Sequence, residues 1–178
     1  MSRSSRSRVE PPETGVVADG PLRVRVVTVS TRAAAGEYDD RSGPAVVEAL
    51  GAWGEVSADV VVVPDGEAEV VAVLRDAVAS GVDVVLTTGG TGLAPDDCTP
   101  QATARVIDRE VPGIAEAIRA DGRDRGVATA ALSRAIAGTA GNTLVVNLPG
   151  SVGGARDGAA VVGPLLAHVR DQLAGGDH

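Results

Sequence analysis

Lysine is absent from this chain of 178 residues. Without it there is no Walker P-loop, no Schiff-base amine and no lysine to carry an adenylate. Any phosphate bound here must be held by backbone amides, hydroxyls, arginine or a metal. Phenylalanine is absent as well, and Trp53 and Tyr38 are the single tryptophan and tyrosine. The core must therefore be Val, Ala, Leu and Ile, with the β-branched valines suited to buried strands and alanine to helices lying close against them. The lone cysteine, Cys98, excludes an intramolecular disulfide and an all-cysteine zinc site. No histidine lies near it in sequence, so it reads as a small packing residue before a nucleophile. No apolar run reaches the roughly 18 residues that cross a bilayer, and the N-terminus has no hydrophobic signal core. A cytoplasmic protein with no membrane partner is the expectation. The formal charge of −8 leaves no basic patch to offset phosphate repulsion, so nucleic acid is not an expected partner.

What is present alternates regularly. Residues 1–20 mix Ser, Arg, Pro and Gly with little to bury and are expected to be a disordered tail; residues 21–178 are expected to form one domain. Within it, apolar strands are predicted at Leu22–Ser30, Ala58–Val63, Asp83–Thr88 and Asn142–Leu148. Helices are predicted at Pro44–Trp53, Glu67–Ser80, Thr99–Glu110 with Thr99 as N-cap, from Pro112, at Ala130–Ala137, and at Ala155–Leu173, where Pro164 divides or kinks the last. His168 lies beside the apolar face of that last helix and is expected to be partly buried. Strands apolar throughout, alternating with helices, indicate an α/β fold of three layers, with a mainly parallel sheet covered on both faces. In such sheets ligands bind beyond the carboxyl ends of the strands.

Four polar or glycine-rich loops fall at that edge. The richest is TTGGTGLAPDDCTPQAT, from Thr87 to Thr103. Gly89, Gly90 and Gly92 let backbone N–H groups turn toward an anion, and Thr87, Thr88 and Thr91 add hydroxyls. Asp97 follows that loop and Asp65 follows the second strand. The two are expected to leave neighbouring strands at the same end of the sheet, so that their carboxylates can share one ligand, and with phosphate oxygens and water they suit Mg²⁺. The competing reading is that Asp65 caps the next helix and Asp97 solvates a loop. Asp39 and Asp40, in the long loop after the first strand, read as solvated loop residues.

Several of these segments, spaced in this order, resemble the MoaB/Mog family of molybdenum cofactor biosynthesis: TTGGTG with LAPDDCTPQAT, REVPGIAEAIR (Arg109–Arg119), AALSR (Ala130–Arg134), GEYDDRSGP (Gly36–Pro44), PDGE and NLPGS. The resemblance covers residues 22 to 173. It implies a molybdopterin-binding α/β domain, a homotrimer, and an adenylyltransferase that joins AMP from Mg-ATP to the terminal phosphate of molybdopterin and releases pyrophosphate. A molybdenum-insertion protein is the implied next partner. By the same resemblance Asp65 and Asp97 are the catalytic, metal-holding carboxylates. Thr88, Gly89, Gly90, Thr91 and Gly92 form the nucleotide and phosphate loop, and Ser133, Asn147, Pro149, Gly150 and Ser151 fall on the pterin side. Asp96 stands where the family usually has a basic residue, so a second metal or another arginine, with Arg32 and Arg41 as the candidates, is expected to compensate. Two alternatives carry different chemistry: a non-catalytic pterin-binding scaffold, and a nucleotide pyrophosphohydrolase on the same fold.

Overall fold

The computed structural model describes residues 20–173 and Gly175, so the expected tail lies almost wholly outside the described residues. The chain runs β1 (Leu22–Val29), α1 (Thr31–Ala34), α2 (Ser42–Leu50), β2 (Val56–Val63), α3 (Glu67–Ala79), β3 (Val84–Thr88), α4 (Thr99–Ala104) and β4 (Arg109–Glu110). It continues through α5 (Pro112–Asp124), β5 (Ala137–Ala140), β6 (Thr143–Leu148), α6 (Val152–Val162) and α7 (Leu166–Leu173), with 3-10 turns at Gly51–Trp53, Ala128–Leu132 and Gly163–Leu165. The strands form one sheet in the order β2-β1-β3-β6-β5-β4.

β1, β2, β3 and β6 are parallel. Alternate residues of β1, β3 and β6 enter two separate cores. Val24, Val26, Leu86, Val146 and Leu148 meet α2, α5 and α6 on one face, while Val27, Val29, Val85 and Val145 meet α3 and α4 on the other. Burial on both faces explains the consecutive apolar residues Val26–Val27, Val84–Leu86 and Leu144–Val146 within these strands. The expected three-layer α/β/α architecture is borne out. β2, also a run of valines, is instead the edge strand, with every residue at least partly accessible. Arg25 fastens that edge, its Nε donating to Asp59 at 2.8 Å on β2 and its Nη1 to Asp76 at 2.6 Å on α3.

Four local expectations need correction. The helix from Thr99 stops at Ala104 because Arg109 and Glu110 leave to pair antiparallel with β5; Gly138 admits the Arg109 carbonyl where a Cβ would collide. Thr99 is not the N-cap. Cys98 holds that position, and the Thr99 N–H is committed to the Gly90 carbonyl at 3.0 Å. The predicted helix at Ala130–Ala137 is a 3-10 turn followed by extended chain, since Arg119 draws the Ser133 and Ala135 carbonyls toward α5 while Asn147 accepts from the Ile136 N–H. β5 then runs antiparallel to β6. His168 is exposed and, among the described residues, its side chain bonds only Gln172, one turn on. The division at Pro164 is as expected, with a 3-10 turn between α6 and α7.

From β1 the chain crosses through α2 on one face to β2, then returns through α3 on the opposite face to β3, on the far side of β1. The crossovers thus diverge from between β1 and β3. At such a switch point the loops part and leave a crevice at the carboxyl ends of the strands.

Candidate active site

The crevice between β1 and β3 is a cleft of about 560 Å³, lined by Thr28, Ser30, Tyr38, Thr88, Gly89 and Gly150 among others. Its floor is set by close backbone contact. Gly89 adopts φ +101°, and a Cβ there would collide with the Val29 carbonyl oxygen; only glycine fits without displacing β1. A Cβ on Gly150 would lie 3.1 Å from the Gly89 Cα, so the loops after β3 and β6 touch through two glycines. Thr88 Oγ1 ties them further by donating to the Pro149 carbonyl at 2.8 Å.

A second cleft, of about 610 Å³, opens on the other side of the same turns. Gly92, Leu93, Ile118, Ser133, Pro149 and Ser151 are among its walls. Gly150 and Val152 face the first cleft while Pro149 and Ser151 face the second, so the turn after β6 is a partition shared by both. Ser151 also caps α6, its Oγ accepting from the Gly154 N–H at 3.2 Å.

Asp97 is folded under the glycine loop. Its Oδ2 accepts from the Ala94 N–H at 2.9 Å and lies where a Cβ on Gly92 would come within 2.7 Å. Its Oδ1 receives no hydrogen bond among the described residues. Asp65 Oδ2 accepts from the Thr31 N–H at 2.7 Å, while Thr31 Oγ1 accepts from the Asp65 N–H at 3.0 Å. The capping role weighed for Asp65 is thus real, but it serves α1 and not the helix that follows. Asp65 and Asp97 do not leave neighbouring strands, because β1 lies between β2 and β3. Their loops nevertheless approach one another through Cys98, which feels the charges of Glu67 and Asp65.

Burial, and then those carboxylates, push the Cys98 thiol above its ordinary pKa. A nucleophilic cysteine needs the opposite environment. Alkylation of Cys98 by iodoacetamide is therefore expected to be slower than that of free cysteine at neutral pH, accelerating only above the free thiol's titration range. Rapid labelling at neutral pH would refute this.

Asp40 is not a solvated loop residue: Oδ1 accepts from Ser42 N–H and Oγ and from Gly43 N–H, and Oδ2 from Thr28 Oγ1 at 2.8 Å. Asp39 is exposed. Asn147 touches neither cleft. It is wholly buried, with Nδ2 donating to Thr87 Oγ1 at 3.0 Å and Thr103 Oγ1 at 2.8 Å. It braces the site from beneath. Thr91 is buried, and the buried Thr99 hydroxyl faces Gly90 with no hydrogen-bond partner.

Sequence reasoning passed over Arg134. Its N–H donates to the Thr91 carbonyl at 2.9 Å, its Nε to that of Gly92 at 2.6 Å and its Nη2 to that of Asp97. It stood within the AALSR segment, but nothing in the spacing links it to a loop some 40 residues earlier.

The family model described as "Probable molybdopterin binding domain" matches residues 25–168. The chain belongs to this family. It is 41% identical over 153 residues to a "Molybdenum cofactor biosynthesis bifunctional protein" of Synechococcus elongatus, covering 86% of this chain and 48% of that one. The chain spans about half the length of the two bifunctional relatives it matches, 48% and 50%. With a "Molybdopterin adenylyltransferase" of Pyrococcus furiosus it shares 36% identity, covering 81% of this chain and 86% of the relative. Among solved structures, a molybdopterin biosynthesis protein from Mycobacterium abscessus superposes with a TM-score of 0.81 at 47% identity, covering 86% of this chain and 96% of that one. The resemblance read from the motifs is borne out. No helix among the described residues is long and apolar enough to cross a membrane.

Proposed function

We propose that this chain transfers AMP from Mg-ATP to the terminal phosphate of molybdopterin, releasing pyrophosphate. The observation that carries the reading is the shared partition. Two clefts separated by the turn at Pro149–Ser151 and the glycine loop suit two substrates whose reacting ends must meet. A binder of one ligand needs only one of them. The polar crevice at the switch point is assigned to the nucleotide, and the larger, more apolar cleft, with Ser133, Pro149 and Ser151, to the pterin.

An oxygen of the molybdopterin phosphate attacks the α-phosphorus of ATP; the new P–O bond forms as the bond to the β-phosphate bridge breaks, and pyrophosphate departs with the electron pair. Such transfer depends on positioning and charge neutralisation more than on a protein nucleophile, in keeping with a raised Cys98 pKa. No group of three or more His, Cys, Asp or Glu able to hold a metal occurs among the described residues. Mg²⁺ needs only one or two carboxylates when substrate phosphates and water complete its shell, and the uncommitted oxygens of Asp65 and Asp97 fit that demand. When bound, the cation would offset the repulsion between approaching phosphates. The protein's own part is to present amides of the glycine loop and to hold those two carboxylates. A homotrimer passing its product to a molybdenum-insertion protein in the cytoplasm completes the proposal.

The test is single-turnover conversion of molybdopterin with Mg-ATP, followed by detection of the adenylylated product. Product from the unaltered chain supports the transferase. Pterin binding without product, with activity gained in Asp96→Arg, would instead make this chain a binder.

A further inference from the structure

Arg134 is half-buried, and its backbone N–H and two of its guanidinium donors, Nε and Nη2, all go to backbone carbonyls of one loop. Those carbonyls, of Thr91, Gly92 and Asp97, bracket the turn that presents the Asp97 carboxylate. Arg32 and Arg41, expected to offset Asp96, do not do this. Arg32 donates its Nε to Glu37 at 2.8 Å and lies over the Tyr38 ring, and Arg41 lies along the first cleft with no hydrogen bond to the glycine loop. Among the described residues Arg134 alone has a cationic side chain hydrogen-bonded to the loop from Gly89 to Asp97.

Two consequences follow from its chemistry. A planar guanidinium is permanently charged and can hold two carbonyls in a fixed fork, which an ammonium cannot. It also follows Ser133, a wall of the larger cleft, so one short segment reaches both the pterin side and the acidic turn. We infer that Arg134 is the positioning residue of the transfer reaction. It fixes Asp97 relative to the glycine loop. The inference rests on the proposed transferase activity and adds a residue to it.

The experiment compares the full chain with Arg134→Ala and Arg134→Lys. For Arg134→Ala, kcat is expected to fall about 100-fold, the usual cost of a small misplacement in a reacting site, with the KM for molybdopterin little changed. Millimolar guanidinium should restore part of that kcat, and should restore nothing to Asp97→Ala. Arg134→Lys, which keeps the charge but not the fork, should fall between. Amide hydrogen exchange gives a readout independent of turnover: residues 91–97 should lose protection in Arg134→Ala while the strands keep theirs. Unchanged exchange there, wild-type kcat in either variant, or a uniform loss of protection across the sheet would overturn the role. If the unaltered chain makes no product, the transferase reading fails, and exchange at residues 91–97 still decides whether Arg134 holds the turn.

Discussion

Asp97→Ala is expected to slow formation of adenylylated molybdopterin by about 100- to 1,000-fold while leaving pterin binding in place. The loop after β3 does not depend on that carboxylate alone. Arg134 holds its backbone at Gly92 and Asp97, and Thr99 N–H is bonded to the Gly90 carbonyl. Removing the side chain therefore takes away charge and leaves most of the turn standing. Losing an electrostatic group of this kind costs about 100- to 1,000-fold in rate. Asp97→Asn separates the two duties of the residue, because its amide oxygen still accepts from the Ala94 N–H while the negative charge is gone. Comparable loss in both variants, read by single-turnover assay, is the expected pattern. Full activity in Asp97→Asn would mean that the carboxylate only shapes the turn and that the metal is held elsewhere.

Asn147→Leu is expected to give the largest loss of stability, about 3–5 kcal/mol by urea denaturation. Asn147 has no solvent exposure, and its amide connects β3, α4 and the strand-like segment before β5 through Thr87, Thr103 and the Ile136 N–H. Leucine has similar bulk and none of the donors or acceptors, so three polar groups would be left in the interior without that partner. A loss below about 1 kcal/mol would show that those groups find other partners or that water enters, since a typical single hydrogen bond is worth about that much.

The parallel part of the sheet was legible because burial on both faces leaves consecutive valine and leucine in β1, β3 and β6, at Val26–Val27, Val84–Leu86 and Leu144–Val146. β2 carried the same signal from the edge, where composition cannot tell one exposed flank from none. β4 and β5 were not legible. Arg109–Glu110 is two exposed residues and Ala137–Ala140 is short and built of small residues with one β-branched side chain, Thr139, so neither resembles a strand until Gly138 brings them together. The glycine loop and Asp97 were found because glycine at strand ends is a strong local signal. Arg134 and the buried Asn147 act through partners more than 35 residues away, and no local pattern announces such contacts. Asp40 was misjudged for a similar reason: its partners include Thr28, on the strand before the loop.

The crossing of β3 to the far side of β1 bears on how the protein matures. Strands joined by contacts such as Arg23 N–H to Asp83 are 60 residues apart, and closing so long a segment is paid in chain entropy before any native pairing returns it. The crevice between Ser30 and Gly89 has no existence in a chain that has only formed its first parallel unit of β1, α2 and β2. Nucleotide affinity should thus emerge late in refolding, together with the final docking of β3 beside β1, and a fluorescent ATP analogue would time that event separately from the earlier gain of helix.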